Sequence, residues 1–376
     1  MPGGSTPNSA LRAAALCAKL PLYRSFRRYG YPTLMPLSMS FVVTDRCNSL
    51  CKTCNIGQRF RDDPQVVDGE LDLDEYTRLF DSISGVEWVT FSGGEPFMRP
   101  DFPEIVARLA ERVKPRVINV PTNASLVRAT TAGAAKILSR AGDTKLTINV
   151  SVDGVGSAHD DVRGFEGNFA LLEKTLRELR RMDDPRLTIG VNTVLSRFNA
   201  GDATTIFDFV LEHLRPDSYV LELAQIRPEY HNLGDRIAPP AHLARAAIDA
   251  FVEKTRARRR RGVARVVSAF RNKYYADVKR TLEVPQGHDC YSGFGTCAVM
   301  SHGDVWTNTQ RGEVLGNLRD FAMDFSALWR STGAVEARAN VRAKPCHCET
   351  SNVAYTNALL DLRGLPGVLY HFVVDA

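Results

Sequence analysis

The chain has 376 residues, a net charge of +5, 44% hydrophobic and 24% charged residues. At roughly 150 residues per domain this is a two- to three-domain globular protein, and disordered, collagen-like and fibrous classes are excluded. No apolar run approaches the roughly 20 residues of a membrane span, and the mild positive charge suits anionic ligands without calling for nucleic acid. In the first 37 residues Arg12 and Lys19 interrupt an apolar stretch too short for secretion, so no export signal is read. Eight cysteines without such a signal point to a reducing compartment, the cytoplasm, where clustered cysteines bind metal or do chemistry. Cys17 stands alone and reads as a small buried hydrophobe.

After the N-terminal extension (1–37), six β-rich runs follow at 38–44, 88–93, 116–122, 146–153, 187–195 and 219–226, several nearly continuous in apolar residues, as buried parallel strands are. Between them helical spacing recurs, as in Tyr76, Leu79, Phe80, Ile83 and in Phe169, Leu172, Leu176, Leu179. Six βα units in series, over 38–235, close into a doubly wound sheet or a full or partial barrel, with ligands at the carboxyl ends of the strands. Pro239-Pro240 opens a helical linker (236–285) with five arginines in 256–261. That run is a solvated helix face or a patch for anions or nucleic acid, though few aromatics accompany it for single-strand stacking. From 286 to 376 the chain turns Gly- and Cys-rich, with short strands at 298–300 and 304–308, and reads as a small metal-stapled domain.

The chemistry starts after the first strand, where Cys47, Cys51 and Cys54 stand in a C-x3-C-x2-C triplet. Structural zinc takes four ligands in a closed tetrahedron, whereas three thiolates on a four-iron cluster leave one iron open. The triplet resembles that of the radical SAM superfamily, whose loop holds a [4Fe–4S] cluster that chelates S-adenosylmethionine. The resemblance implies an α/β fold: a partial (β/α)6 TIM-like barrel with a small C-terminal iron–sulfur cluster domain.

Further motifs extend the resemblance. Gly93-Gly94-Glu95-Pro96 is similar to the family's GGEP, which holds the methionine ammonium group; its glycines permit close backbone approach. Thr122-Asn123 matches a TNG turn in which Ala124 replaces glycine. Ser151-Val152-Asp153-Gly154, with His159-Asp160 and Arg163-Gly164, resembles SxDG…HDxxRG, implying that Ser151 and Asp153 face the cofactor ribose or the substrate; an Asp that caps the next helix is the alternative. Asn192, Asn199 and Arg227 fit positions near the adenosyl moiety and the methionine carboxylate, an anion that an arginine fork suits. Position 53, often aromatic in the family, is Thr53, so adenine needs another contact.

A second constellation is Cys290, Cys297, Cys346 and Cys348. Framed by Gly293, Gly303, Val305, Gly316, Asn317 and Trp329, it resembles the C-terminal extension called SPASM or twitch, which carries extra clusters. The usual cysteine is missing near Trp306, Thr307 and Asn308, which implies one auxiliary [4Fe–4S] cluster and not two. A zinc site is the alternative, and His288, His302 and His347 could ligate or tune it. Cys297 could instead be a free thiol that donates hydrogen to a substrate radical.

The resemblance, which spans 38–357, implies reductive cleavage of S-adenosylmethionine and hydrogen abstraction by a 5′-deoxyadenosyl radical from a carbon of a small biosynthetic molecule or peptide. Oxidation (dehydrogenation or cross-linking) is the expected outcome, because a cluster closed by four thiolates can only pass electrons. Redox-neutral epimerisation or dehydration, and a non-catalytic metal-bound scaffold, are the alternatives. A flavodoxin or ferredoxin would supply electrons, no fused peptide-leader domain is expected, and neither nucleic acid nor a membrane span is expected.

Overall fold

The computed structural model describes residues 7–256, 262–284, 289–344, 351–362 and 364–374. Cys346, Cys348, His288, His347 and residues 258–261 of the arginine run lie outside the described residues. Helix α1 (Pro7–Tyr29) precedes six strands, β1 (Ser38–Val42), β2 (Trp88–Ser92), β3 (Val117–Thr122), β4 (Lys145–Ser151), β5 (Leu187–Leu195) and β6 (Ser218–Leu223). They pair parallel, each with its sequence neighbour. The crossovers carry α2 (Ile56–Asp62), α3 (Leu73–Asp81), α4 (Phe102–Arg112), α5 (Val127–Arg140), α6 (Ser157–Arg163), α7 (Asn168–Arg180) and α8 (Ala203–Phe209). This is the partial (β/α)6 barrel that the resemblance implies, one of the closures that the six βα units leave open.

Pleating divides each strand between two environments. Phe41 and Phe91, paired in register, stack at 5.6 Å and meet Phe80 of α3 and Phe102 of α4 edge-on. The alternate residues Thr90, Asn119, Thr147 and Asn149 line the lumen. The runs are therefore apolar toward the helices and polar inside. The helices form where the apolar stripe was read: α3 buries Tyr76, Leu79 and Phe80 behind a capping box of Asp72 and Glu75, and α7 buries Phe169, Leu172, Leu176 and Leu179. Such a cap contributes about 1 kcal/mol and each buried large side chain about 1.5–3 kcal/mol.

The linker supplies α9 (Ala241–Arg256) and α10 (Val263–Glu283). β6 ends the sheet, and α10 satisfies its edge: Leu221 N–H donates to Tyr275 Oη at 2.9 Å and Arg271 donates to the Tyr219 carbonyl at 2.9 Å. At the opposite side β7 (Thr296–Val299) pairs parallel with β1, and β8 (Asp304–Trp306) and β9 (Val314–Asn317) follow antiparallel. Core and C-terminal region thus share one nine-stranded sheet. Helices α11 (Phe325–Arg330), α12 (Thr332–Ala343), α13 (Ser351–Leu360) and α14 (Leu365–Val374) complete the chain.

The N-terminal extension packs against this region. Phe26 meets Phe294 at 5.2 Å, and Arg27 Nε donates to the Cys290 carbonyl at 2.9 Å. Cys17, expected to be buried, is exposed. The inward stripe of α1 runs through Leu16, Leu20 and Tyr23 at i, i+4 and i+7, which turns position 17 outward. Among the described residues no helix is long and apolar enough to cross a membrane.

Candidate active site

The loop that carries Cys47, Cys51 and Cys54 leaves the carboxyl end of β1, and three buried devices fix its course. Arg99 donates to the carbonyls of Val43 and Leu71 at 2.8 and 2.6 Å, while the Glu70 carboxylate accepts from Asp45 N–H at 2.7 Å. Asn123 donates to Asn48 Oδ1 and Ser49 Oγ at 2.8 and 2.9 Å. After β6, the Tyr230 carbonyl accepts from Asn55 N–H and Asn232 donates to the Thr53 carbonyl, both at 2.9 Å.

Two glycines allow very close approaches to this loop. A Cβ on Gly94 would lie 2.0 Å from the Arg46 carbonyl oxygen, and one on Gly164, at φ +59°, would lie 2.2 Å from that of Leu50. Any side chain at either place would push the cysteine loop out of position.

Glu95 is 2% exposed, and its carboxylate accepts from Thr122 Oγ1 (2.8 Å), Asn123 N–H (2.7 Å) and Phe97 N–H (3.2 Å). It ties the end of β2 to the end of β3 while also lining the cavity. Pro96 is buried at the start of a short 3-10 turn and does not reach the cavity.

The stretch after β4 resolves into four roles. The expectation that Asp153 faces a ribose is corrected: it is 2% exposed and outside the cavity lining, and its carboxylate accepts from Val194 N–H at 2.8 Å and from Arg163 at 3.1 Å. The bond to the β5 backbone at Val194 ties it into the wall. His159 Nδ1 accepts from Asp153 N–H at 3.1 Å, which leaves Nε2 to donate to Asn168 Oδ1 at 3.0 Å. Burial, outweighing nearby Asp153, holds His159 below the ordinary imidazole pKa, so the ring is neutral. Asp160 takes the N–H groups of Gly167 and Phe169 at the start of α7, both at 2.8 Å. Asn199 donates to the carbonyls of Asp153 and Val194 at 2.9 and 3.0 Å, a wall contact as well.

The cysteine loop opens on a cavity of about 1670 Å³ that runs down the barrel lumen and is lined at the seam beyond β6 by Phe270 of α10 and Leu359 of α13. Pockets for one drug-sized ligand take about 300–1,000 Å³, so two molecules have room. Of the residues nominated from the sequence, Cys47, Cys51, Cys54, Gly93, Gly94, Glu95, Asn123, Ser151, Asn192 and Arg227 line it. Asn192 donates to Glu222 at 3.4 Å and has a buried Oδ1 without a hydrogen-bond partner. Arg227 lies over the Tyr230 ring at 4.9 Å and donates to Gln225 Oε1 at 2.9 Å. The sequence named Arg163 within a motif but gave it no role; it lines the cavity beside the cysteines.

The three thiols shape one another. Burial pushes Cys47 up to about 12, with Cys51 adding to the effect. Burial likewise raises Cys54, again helped by Cys51, and raises Cys51, where Arg163 opposes it. Thiols that resist ionising in this setting become thiolates once a cationic centre sits among them, which fits an iron–sulfur cluster. Among the described residues no three His, Cys, Asp or Glu side chains could share a single metal ion; a four-iron cluster differs in taking each thiolate on its own iron.

The second constellation is placed differently. Cys290 and Cys297 are buried in the apolar core, joined by a turn in which Gly293 N–H donates to the Thr296 carbonyl at 2.7 Å. Cys297 pairs in register with Met39, whose neighbour Ser38 lines the cavity. Its side chain therefore faces the core, and the expected hydrogen donor is corrected: a thiol on that face cannot reach a radical in the lumen. Burial raises its pKa against the nearby Arg338, whose guanidinium donates to the Gly293 and Trp329 carbonyls at 2.5 and 2.8 Å. His302 donates to or accepts from Ser301 and bonds to the Asp68 carbonyl at 3.1 Å, on the surface.

Residues 41–210 match the model of the Radical SAM superfamily. The chain carries a radical SAM domain. It is 27% identical to an Fe-coproporphyrin III synthase of Methanosarcina barkeri over 87% of this chain and 81% of that protein. An AdoMet-dependent heme synthase of the same organism is 32% identical over 48% of each chain. The subtilosin biosynthesis protein AlbA of Bacillus subtilis is 30% identical over 39% of this chain and 31% of that one. The chain thus spans about half of one of these relatives and a third of another. Among solved structures, Streptococcus suis SuiB aligns at a TM-score of 0.51 and 16% identity, covering 82% of this chain and 67% of that one. The enzyme anSMEcpe with bound AdoMet and a peptide aligns at 0.51 and 15% identity, over 80% of this chain and 82% of that one. At these identities the likeness is one of fold.

Proposed function

We propose that Cys47, Cys51 and Cys54 hold a catalytic [4Fe–4S] cluster and that the chain uses S-adenosylmethionine to abstract hydrogen from a biosynthetic substrate. The observation that carries this is the convergence of Cys47, Cys51 and Cys54 on one large cavity, beside the close-approach glycine Gly94. The bound cluster would supply one electron that cleaves S-adenosylmethionine into methionine and a 5′-deoxyadenosyl radical. The chain's own residues do the rest. Gly94 admits the cluster loop, Asn123 holds its Asn48 and Ser49 side chains, Asn232 holds its backbone at Thr53, and Glu95 locks two strand ends beneath it. Ser151 and Asn192 offer polar atoms to a ribose, and Arg227 offers charge to a carboxylate. α10 and α13 line the seam.

The substrate class rests on relatives. One that matches along most of the chain is named for an Fe-coproporphyrin, another for a bacteriocin, and a small molecule or a peptide accords with either. We take the outcome as oxidative. Cys290 and Cys297, with Cys346 and Cys348, would hold an auxiliary [4Fe–4S] cluster that removes the second electron, and the Arg338 charge favours the Cys297 thiolate. No described cysteine besides 47, 51 and 54 lines the cavity, which weighs against quenching by a protein thiol. A flavodoxin or ferredoxin in the cytoplasm would be the electron source.

Anaerobically reconstituted protein given dithionite and S-adenosylmethionine is expected to release 5′-deoxyadenosine. A variant with alanine at 47, 51 and 54 is expected to keep about half the iron of two four-iron clusters. No 5′-deoxyadenosine from an iron-loaded chain would leave a metal-bound scaffold as the reading. Zinc, or no metal, in the triple variant would remove the auxiliary cluster. With substrate in D2O, deuterium at the reacting carbon would remove the oxidative outcome.

A further inference from the structure

Arg163 is held against the cysteine loop from both sides of its own backbone. The carbonyl of Val162 accepts from Lys52 N–H at 3.0 Å, and Gly164 lies so close to the Leu50 carbonyl that no Cβ fits. The residue between them therefore sits opposite Cys51. Its side chain is 14% exposed, lines the cavity and donates through one terminal nitrogen to Asp153 at 3.1 Å. Its Nε is buried without a hydrogen-bond partner. The second Asp153 oxygen is taken by Val194 N–H, so the carboxylate does not grip the guanidinium with both oxygens. Burial disfavours the Arg163 charge, but Cys51, Asp153 and Cys47 more than offset it, and the group stays cationic.

We propose that Arg163 sets the reduction potential of the catalytic cluster: its guanidinium, clasped beside Cys51, compensates the negative charge that the cluster gains on reduction, and Asp153 partly screens it. This rests on the reading that Cys47, Cys51 and Cys54 hold a four-iron cluster. Such a cluster in its two-plus state, with three thiolates, bears one net negative charge; one electron from an external low-potential donor makes it two, with no proton taken up. A fixed cation in a site shielded from water favours the more negative state, and a fixed anion opposes it. The two partners must therefore act with opposite signs, which a purely structural role for either does not require.

The test is a redox titration of reconstituted protein followed by EPR, without S-adenosylmethionine. For Arg163→Gln the reduced-to-oxidised ratio at the wild-type midpoint is expected to fall about tenfold, equivalent to about 59 mV for one electron. Arg163→Lys should retain most of the wild-type ratio. Asp153→Asn should raise it. A midpoint for Arg163→Gln within twofold of wild type, or a shift of Asp153→Asn in the same direction as Arg163→Gln, would overturn the proposal. If Arg163→Gln holds no iron, the lysine and Asp153→Asn variants decide the question by the same signs. Equal midpoints without S-adenosylmethionine that separate only in its presence would overturn it in favour of a contact with that molecule. A wild-type chain that takes up no cluster would defeat the cluster assignment itself, an outcome distinct from an unshifted potential.

Discussion

The described cysteines of the two sets flank one sheet yet meet opposite surroundings. Cys47, Cys51 and Cys54 project from the carboxyl end of β1 toward the cavity, in a loop held by other groups, its Asn48 and Ser49 side chains by Asn123 and its Thr53 carbonyl by Asn232. Cys297, on the neighbouring strand β7, and Cys290 sit in an apolar core with Phe26, Phe294 and Trp329. The difference lies in what would bear a substitution. At the first set the thiols face space and the fold is carried by other groups; at the second the sulfurs are part of the packing.

The sharpest way to break this contrast is Cys51→Ala. It is expected to abolish 5′-deoxyadenosine formation, a loss of about 10³-fold or more given the role assigned to the thiol, while the melting temperature of the metal-free chain stays within a few degrees of wild type. Cys297→Ala should behave the other way, lowering the metal-free melting point through a cavity in the core. Equal melting losses in the two variants would erase the distinction.

A second test compares two left-handed glycines. Gly164 (φ +59°) and Gly167 (φ +77°) both occupy the left-handed helical region, but only Gly164 meets a neighbour, the Leu50 carbonyl. Gly167→Ala should cost about 1–2 kcal/mol from backbone strain alone. Gly164→Ala should add overpacking of about 1–3 kcal/mol and lower iron uptake, because the displaced segment is the cysteine loop. Denaturant melts and iron assays of both variants check this; similar stabilities would show that the clasp is loose.

The wall behind the first set also predicts a pH response. His159 is buried neutral between Asp153 N–H and Asn168, with its folded pKa depressed. The unfolded chain then binds the extra proton more readily, so stability is fully present above the unfolded value of about 6.5 and is lost as pH falls through it toward the folded value. His159→Gln should flatten the stability curve between about pH 7 and 5. An unchanged slope in denaturant melts would assign the acid sensitivity elsewhere.

What the sequence disclosed follows the same division. The six strands, the α3 and α7 stripes and the cysteine triplet depend on short-range patterns, and each appears where its residues lie. Four features depend on what comes near in space. The 286–376 region reads as a separate unit, yet β7 extends the core sheet, because nothing within Thr296–Val299 announces a parallel partner more than 250 residues earlier. β9 (Val314–Asn317) is too short to stand out. Asp153 and Cys297 are chemically suited to a site, but a hydrogen bond from Val194 N–H ties the one into the wall and strand register turns the other to the core. Arg163 gains its interest solely from Val162 and Gly164 clasping the cysteine loop.

The smallest expected effect tests how tightly the turn after β3 supports the first cysteine set. Ala124 occupies φ +56°, where a Cβ costs about 1–2 kcal/mol, and it is fully buried. Glycine would relieve that strain, but it would lose one buried methyl, worth about 0.8 kcal/mol, and would free the unfolded chain by a further 0.4–1 kcal/mol or so. These contributions nearly cancel, so Ala124→Gly should shift stability by less than about 1 kcal/mol in either direction. The neighbouring side chain supplies the more telling readout. Asn123 donates to both Asn48 and Ser49 from this turn, so a turn relaxed by glycine without moving Asn123 leaves iron uptake unchanged. If Ala124→Gly holds its stability but loses iron, the alanine methyl itself is what holds the turn against the cysteine loop, and the strain at this position serves the site.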